Sequence, residues 1–358
     1  MPIKADYLDF AELTDEDRRT WLALQAADPC LASPYFSPSY AGAAEAARPG
    51  VKVLRFREGV QPVAYWPFRP GPHGTARPVG GPMDDLHGII AAPDTVLDLG
   101  QRDVSRRVGG YAFEATPANQ YRHGLGGHIG DGNQVMDLSA GYDAWLEERQ
   151  ADSSNFRREH RKVEALLTAS GTEVRHDVRD IAAFERLLDL KQIAYEQSGH
   201  FKLFSLDWPR QLLENLMDTN AADARGVLST LHIDGELAAM AYNMRSETVL
   251  HYWFPAYEDK FSKQKPGLAL LFSLAEWAAG EGIRELHLGL GDTQYKRQLA
   301  TWMAPVRGGS LALGAPQKIA TAASAISQKL EGNHRLLDVP AKFARKYHRV
   351  MLAGNLRA

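Results

Sequence analysis

The segment His251–Trp302 constrains the fold more than any other part of the chain. It opens with a strand pattern, His251-Tyr252-Trp253-Phe254, and continues into a polar loop ending in Lys265-Pro266-Gly267. A helix is predicted from Pro266 to about Gly280, with Gly282 as a stop. A strand over Ile283–Leu290 and the run Gly289-Leu290-Gly291-Asp292-Thr293-Gln294-Tyr295-Lys296-Arg297 follow. Pro266 suits the first helical position, where its missing N–H costs nothing and its φ is already helical. Leu271, Leu274, Ala275 and Ala278 repeat at helical spacing and give that helix an apolar face. In the following strand the period falls to two: Leu286, Leu288 and Leu290 share one face, Glu285, His287 and Gly289 the other. A strand feeding a helix in this way leaves free N–H groups at the helix start, which favour an anion such as a pyrophosphate. An ordinary crossover offers the same groups, so the pattern alone leaves both readings open.

The residues of this unit carry a family resemblance. Tyr252, Tyr257-Glu258, Phe261-Ser262, Lys265-Pro266-Gly267, Leu270-Leu271, Glu276-Trp277-Ala278, Gly282-Ile283-Arg284, Gly291-Asp292 and Tyr295-Lys296-Arg297 stand in a characteristic order. The chain resembles, over about Ser153–Trp302, the GNAT-type acyltransferases of the CelD/BcsL group. Those proteins accompany cellulose and other exopolysaccharide synthesis and are related to the FemAB-like tandem-GNAT proteins. Gly-Asp-x-x-Tyr-Lys-Arg (Gly291–Arg297) is the most specific piece. His287 stands where the family usually has an acidic residue, and Leu290 where it has a basic one.

Length and composition agree with a two-domain globular protein: 358 residues, 44% hydrophobic and 24% charged. A net charge of −3 gives no general attraction to nucleic acid or to an anionic membrane. The single cysteine, Cys30, excludes an intrachain disulfide and reads as a small core or loop residue. No apolar run approaches the ~18 residues of a membrane span, and no signal-peptide pattern opens the chain. A cytoplasmic protein is expected.

In the first half, Thr14-Asp15-Glu16-Asp17 starts a helix, a small-residue helix covers Tyr40–Ala47, and Val51–Phe56 with Val60–Phe68 reads as a hairpin. Gly71–Asp94 is Gly- and Pro-rich and reads as an extended loop. Its Asp84-Asp85…His87 cluster hints at a metal site, but three residues so close in sequence make poor ligand geometry, and loop polarity accounts for them. A short helix near Asp98–Val108, a strand near Gly110–Ala115 and a glycine-rich loop at Gly124–Gly132 follow. In the second half, Ser153 and its neighbours cap a helix carrying Arg157, Arg158, His160, Arg161 and Lys162. That is either a solvated face or a grip on phosphate or a charged polymer. A strand at Thr172–Val178 and helices at Ile181–Gln197 and Trp208–Met217 precede a hairpin about Asp234-Gly235, and Thr248–Phe254 pairs next. The pattern licenses an α/β fold with a mixed sheet. The resemblance extends this to an α/β (α+β) class with two tandem GNAT-like domains, each a mixed, mostly antiparallel sheet flanked by helices. The expected division is residues 1–145, 146–315 and a helical basic tail over 316–358. Lys342, Arg345, Lys346, Arg349 and Arg357 in that tail would lie on an anionic membrane surface or dock on the body of the protein.

The resemblance implies acyl transfer from acetyl-CoA to an amine, with no metal. Proximity supplies much of the rate, strand N–H groups stabilise the developing oxyanion, and a base and an acid move the protons. Gln264, Lys265, Gly267 and Leu268 would form the pyrophosphate loop. Ala239 and Met240, in a run of small residues, would let the pantetheine arm pass along their strand; tight sheet–helix packing explains them as well. Asp292 is the expected base or amine holder, Tyr295 the acid for the thiolate, and His287 a second candidate base. Lys296 and Arg297 would bind anionic or hydroxyl groups. Trp253 and Tyr257 would stack on a sugar, and His251 would serve beside them or, like His287, as a base, although packing accounts for all three. The expected partners are an acyl-CoA and a sugar or lipid-linked sugar, with no nucleic acid. Two other readings stay open: a FemAB-like transferase that uses aminoacyl-tRNA, and a non-catalytic GNAT-fold subunit of a synthase complex.

Overall fold

Local signals in the sequence build the elements they point to. The Thr14 hydroxyl accepts from Asp17 N–H at 3.1 Å while Asp17 accepts from Thr14 N–H, a reciprocal cap that starts α1 (Asp15–Ala26). Ser37 caps α2 (Pro38–Ala47). A short α3 (Arg102–Ser105) stands where a longer helix was expected. The second half contributes α4 (Tyr142–Asp152), α5 (Ser154–Leu167), α6 (Ile181–Gln197), α7 (Asp207–Asp218), α8 (Pro266–Gly280) and α9 (Gln294–Leu299). The computed structural model describes residues 2–199 and 201–314. The expected basic tail over 316–358 lies outside the described residues.

In chain order the described strands are β1 (Ile3–Asp9), β2 (Lys52–Glu58), β3 (Gln61–Pro70), β4 (Thr75–Arg77), β5 (Ile90–Ala91), β6 (Gly110–Pro117) and β7 (His128–Ile129). They continue as β8 (Asn133–Asp137), β9 (Thr172–Arg175), β10 (Arg225–Ile233), β11 (Glu236–Arg245) and β12 (Val249–Tyr257). The last three are β13 (Glu285–Leu290), β14 (Trp302–Ala304) and β15 (Val306–Ala312). One sheet runs β1-β2-β3-β4-β6-β15-β7, with β5 also on β3. The other runs β14-β8-β13-β12-β11-β10-β9. Each contains one parallel neighbour pair, β4 with β6 and β12 with β13. The fold is thus mixed α/β, with two mostly antiparallel sheets flanked by helices, as expected.

The connection between the sheets was not foreseen. β8 precedes residue 146 yet pairs with β13 and β14 in the second sheet. β15 follows the second sheet in sequence and returns to pair with β6 in the first. A cut at residue 145 would therefore remove β8 from the sheet to which it belongs. β8 is only five residues long, and Gly308-Gly309 interrupt the alternation of β15, which is why the sequence did not announce them. One apolar cluster also spans both halves, joining Tyr35, Tyr40 and Tyr65 to Met240, Tyr242 and Trp253. Each large side chain buried this way contributes roughly 2–3 kcal/mol, so the two halves hold a fixed relation.

Candidate functional site

The site begins where two strands part. β12 and β13 run parallel through the pairs Val249↔Glu285, Leu250↔Leu286 and His251↔His287, and then pair no further. Gly289 (φ +82°) and Gly291 (φ +91°) turn β13 aside. At Gly289 the left-handed backbone is one that a side chain would strain. Among the described residues, the edge of β12 from Tyr252 to Tyr257 has no strand on that side. On its other side β12 stays paired with β11, through a register shift at Tyr242/Asn243.

A groove of about 670 Å³ opens beside this edge. Tyr252, Pro255, Ala256 and Tyr257 of β12 form one wall. Lys265, Gly267 and Leu268, at the start of α8, close one end. Asn155 and Glu159 of α5, with Gln294, Tyr295 and Gln298 of α9, form the remainder. The first turn of α8 is open to a ligand. Leu268 and Ala269 N–H both donate to the Lys265 carbonyl at 3.1 Å, Pro266 has no N–H, and Gly267 N–H, in the first helical turn, has no backbone partner among the described residues. A Cβ on Gly267 would approach nothing nearer than Tyr257 Cδ1 at 3.4 Å, so the groove and not packing accounts for the small residue. The Lys265 ammonium is paired with Glu159. That contact, with Lys162 behind it, holds the Glu159 carboxyl below its usual range. Burial pushes the Tyr295 phenol up, so it stays protonated near neutrality.

The expected site residues divide among three environments. Lys265, Gly267, Leu268, Tyr257 and Tyr295 are brought together in the groove. Gln264, the last residue of the turn Asp259–Gln264, is exposed beside it. Tyr257 therefore stands on the α8 side of the sheet, away from Trp253. His251, Trp253 and Lys296 gather behind the sheet. His251 is fully buried, its Nε2 2.9 Å from Asp85 Oδ2. Tyr35 packs edge-on against both His251 (5.1 Å) and Trp253 (5.6 Å). Lys296 Nζ donates to the Leu290 carbonyl at 2.6 Å, and burial pushes its pKa down. His287 is buried between the Asn133 side-chain amide and Glu285, each at 2.9 Å, and burial holds it below the usual histidine range. Asp292 and Arg297 form a half-exposed ion pair (2.7 Å) on the outer surface, next to α9.

Two expectations need correction. Ala239 and Met240 do not flank an open edge: β11 is paired on both sides and both residues are fully buried. The free edge belongs to β12, because β13 leaves that strand and not β11. The Asp84–His87 loop was set aside as ordinary loop polarity, yet it delivers Asp85 to His251. Only a contact across 166 positions shows this. Glu159, Asn155 and Gln298 also escaped notice, since nothing in a helix sequence marks which solvated face borders a groove.

Comparison with known proteins agrees with this geometry. Residues 154–297 match the family described as Acetyltransferase (GNAT) domain, which covers α5 through α9. No curated protein sequence matches the chain. The solved structure of FemX is similar to it at 10% identity and a TM-score of 0.58, over 88% of this chain and 99% of FemX. A tandem GNAT protein from the clavulanic acid biosynthesis pathway is similar at 13% identity and a TM-score of 0.48, over 87% of this chain and 99% of that one. The C-terminal domain of a putative lysylphosphatidylglycerol synthetase from Agrobacterium fabrum gives 12% identity and a TM-score of 0.47, over 74% and 85% of the two chains.

Proposed function

We propose that this protein, whose residues 154–297 form a GNAT N-acyltransferase domain, transfers an acetyl or similar acyl group from CoA to the amine of an amino sugar or lipid-linked sugar. The observation that carries the reading is the parting of β12 and β13 beside a groove that ends at the first turn of α8. The Gly267 N–H and the Lys265 ammonium would hold the pyrophosphate, helped by the positive end of the helix dipole. The pantetheine arm would lie along the free edge of β12, which lends it backbone hydrogen bonds. Strand N–H groups at the parting would take the developing charge on the thioester oxygen. Tyr295, kept protonated by burial, would give its proton to the departing thiolate. Lys296, Trp253 and the Asp292–Arg297 pair would meet the acceptor. The exopolysaccharide setting, which the CelD/BcsL resemblance implies, belongs to this proposal, as does a cytoplasmic location with membrane contact through the basic residues of 316–358, which composition suggests.

Calorimetric titration with acetyl-CoA tests the reading. Binding in the micromolar range is expected, and Gly267→Asp should abolish it by placing a carboxylate where the pyrophosphate sits. The backbone at Gly267 has no positive φ and Cβ has room, so this variant keeps its fold. Absence of binding by the unaltered protein would refute the donor site.

A second reading has its own observation. Arg157, Arg158, Arg161 and Lys162 line α5, the helix that borders the groove through Asn155 and Glu159. A FemAB-like use of aminoacyl-tRNA would place the tRNA backbone there. It predicts a complex with tRNA whose affinity falls steeply with salt, and no binding of acetyl-CoA.

A further inference from the structure

Alternate residues of β12 face opposite sides of the sheet. Tyr252 lines the donor groove, whereas His251 and Trp253 turn the other way, toward the first half of the chain. Any acceptor that meets the acyl carbon at the parting of β12 and β13 without displacing CoA must come from this second side.

Asp85 reaches that side from the loop of the first half. Its Oδ2 lies 2.9 Å from His251 Nε2, where the tautomer with its proton on Nε2 donates to the carboxylate. A Cβ built on Gly289 would lie 3.1 Å from that same oxygen, 3.5 Å from Lys296 Nζ and 3.8 Å from His251 Cε1. The carboxylate thus rests over the backbone just beyond the last β12–β13 pair. The Asp85 side chain is 37% exposed, while the imidazole behind it is fully buried. Burial and the nearby Asp85 charge push the phenol of Tyr195, on α6, up. Asp84, one residue earlier, is half-buried and tied down: it accepts from the Tyr40 hydroxyl and from Gly80 N–H (2.9 Å), and desolvation of the carboxyl pushes it up to about 7. One carboxylate of the pair fixes the loop, and the other is left partly open to solvent with an imidazole to orient it.

We propose that Asp85 is the catalytic base for the acceptor amine and that His251 is the residue that positions it. The inference rests on reading residues 154–297 as an acyl-CoA-dependent N-acyltransferase. In the step, R–NH3+ gives a proton to the Asp85 carboxylate and the freed lone pair forms the C–N bond. The C–S bond breaks as Tyr295 protonates the departing thiolate, so CoASH leaves; the second amine proton, lost from nitrogen as the amide forms, restores the Tyr295 phenol through solvent, and Asp85 releases its own proton to solvent. The acceptor cleft is accordingly built from both halves of the chain, with the base supplied by the first.

The test uses two amines of different protonation. Hydroxylamine is already unprotonated at neutral pH and needs no base, whereas glucosamine is largely an ammonium ion. Asp85→Asn should lower kcat with glucosamine by about 100-fold or more, the usual worth of a general base, and change kcat with hydroxylamine less than about threefold. His251→Gln should show the same split on a smaller scale, roughly tenfold. Acetyl-CoA affinity, measured on the opposite face of the sheet, should stay unchanged and serves as the check on folding. Equal losses with both amines, or no loss with either, would overturn the assignment while leaving the donor site intact. So would an unaltered enzyme that acetylates hydroxylamine and no protonated amine. Failure of the unaltered protein to bind acetyl-CoA would instead remove the reading on which the assignment rests.

Discussion

The Lys265 ammonium and the Glu159 carboxylate are paired across the mouth of the donor groove, tying α5 to the first turn of α8. The contact places a negative charge beside the turn that would hold a pyrophosphate, and it occupies the one lysine of that turn. Glu159 must therefore be drawn aside, or screened, when an anion enters.

From this follows a gain of affinity. Glu159→Gln keeps the shape of the side chain and removes the competing charge. The dissociation constant for acetyl-CoA should fall roughly two- to fivefold at low salt, a scale set by partly exposed ion pairs. The difference should shrink as salt screens it. Calorimetry at two ionic strengths measures both, and an affinity equal to or weaker than that of the unaltered protein would show that Lys265 does not serve the anion.

Tyr295 gives a prediction about rate and pH together. Removing the phenolic proton with Tyr295→Phe should lower kcat about 100-fold while acetyl-CoA affinity stays within about twofold. Only the protonated phenol can act as the acid. Because burial raises its pKa above the ordinary 10.0, the activity it supports should persist through neutrality and decline only above that value. The variant should lack that alkaline decline.

Asp292 is distinguishable from Asp85 by kinetics. Its carboxylate is paired with Arg297 and both are about half exposed. Asp292→Asn should raise KM for the acceptor a few-fold and leave kcat within about twofold. A fall in kcat near 100-fold would make Asp292 the base and displace Asp85 from that role.

Acid should destabilise the fold through a buried histidine. His87 is 8% exposed, neither ring nitrogen has a hydrogen-bond partner among the described residues, and burial pushes its pKa down to about 3. The unfolded chain binds that proton near 6.5 while the folded chain refuses it, so stability declines as pH falls below 6.5. Two pH units lower, the loss from this residue reaches about 3 kcal/mol. Urea midpoints between neutral and mildly acidic pH measure the slope. His87→Leu should flatten it, and an unaltered slope would contradict the assignment.

Much of the fold was legible because its signals are local. Pro266 opens α8 at the residue expected, the helix keeps its apolar face on the sheet, and Asp234-Gly235 turns the β10–β11 hairpin. Capping groups, turn residues and hydrophobic period act within a few residues, so one sequence displays them. The groove residues of the α8 turn, and Tyr295 beyond β13, could be named for the same reason: they lie within about one turn of a predicted strand end or helix start.

The remainder depended on which strands meet. β8 and β15 exchange between the sheets through pairings that no local pattern encodes, since the hydrogen bonds of a ladder belong to both partners. The same exchange fixes the first half of the chain against the second. It carries Asp85 across 166 positions to His251, turning a polar loop residue into an oriented carboxylate above the parting strands. It also determines that the free edge is that of β12 rather than β11. The sequence by itself determined the helix start, the strand periods and the residue types able to serve a thioester. Tertiary pairing alone decided which of those residues share a cleft, because that depends on distances between segments remote in the chain.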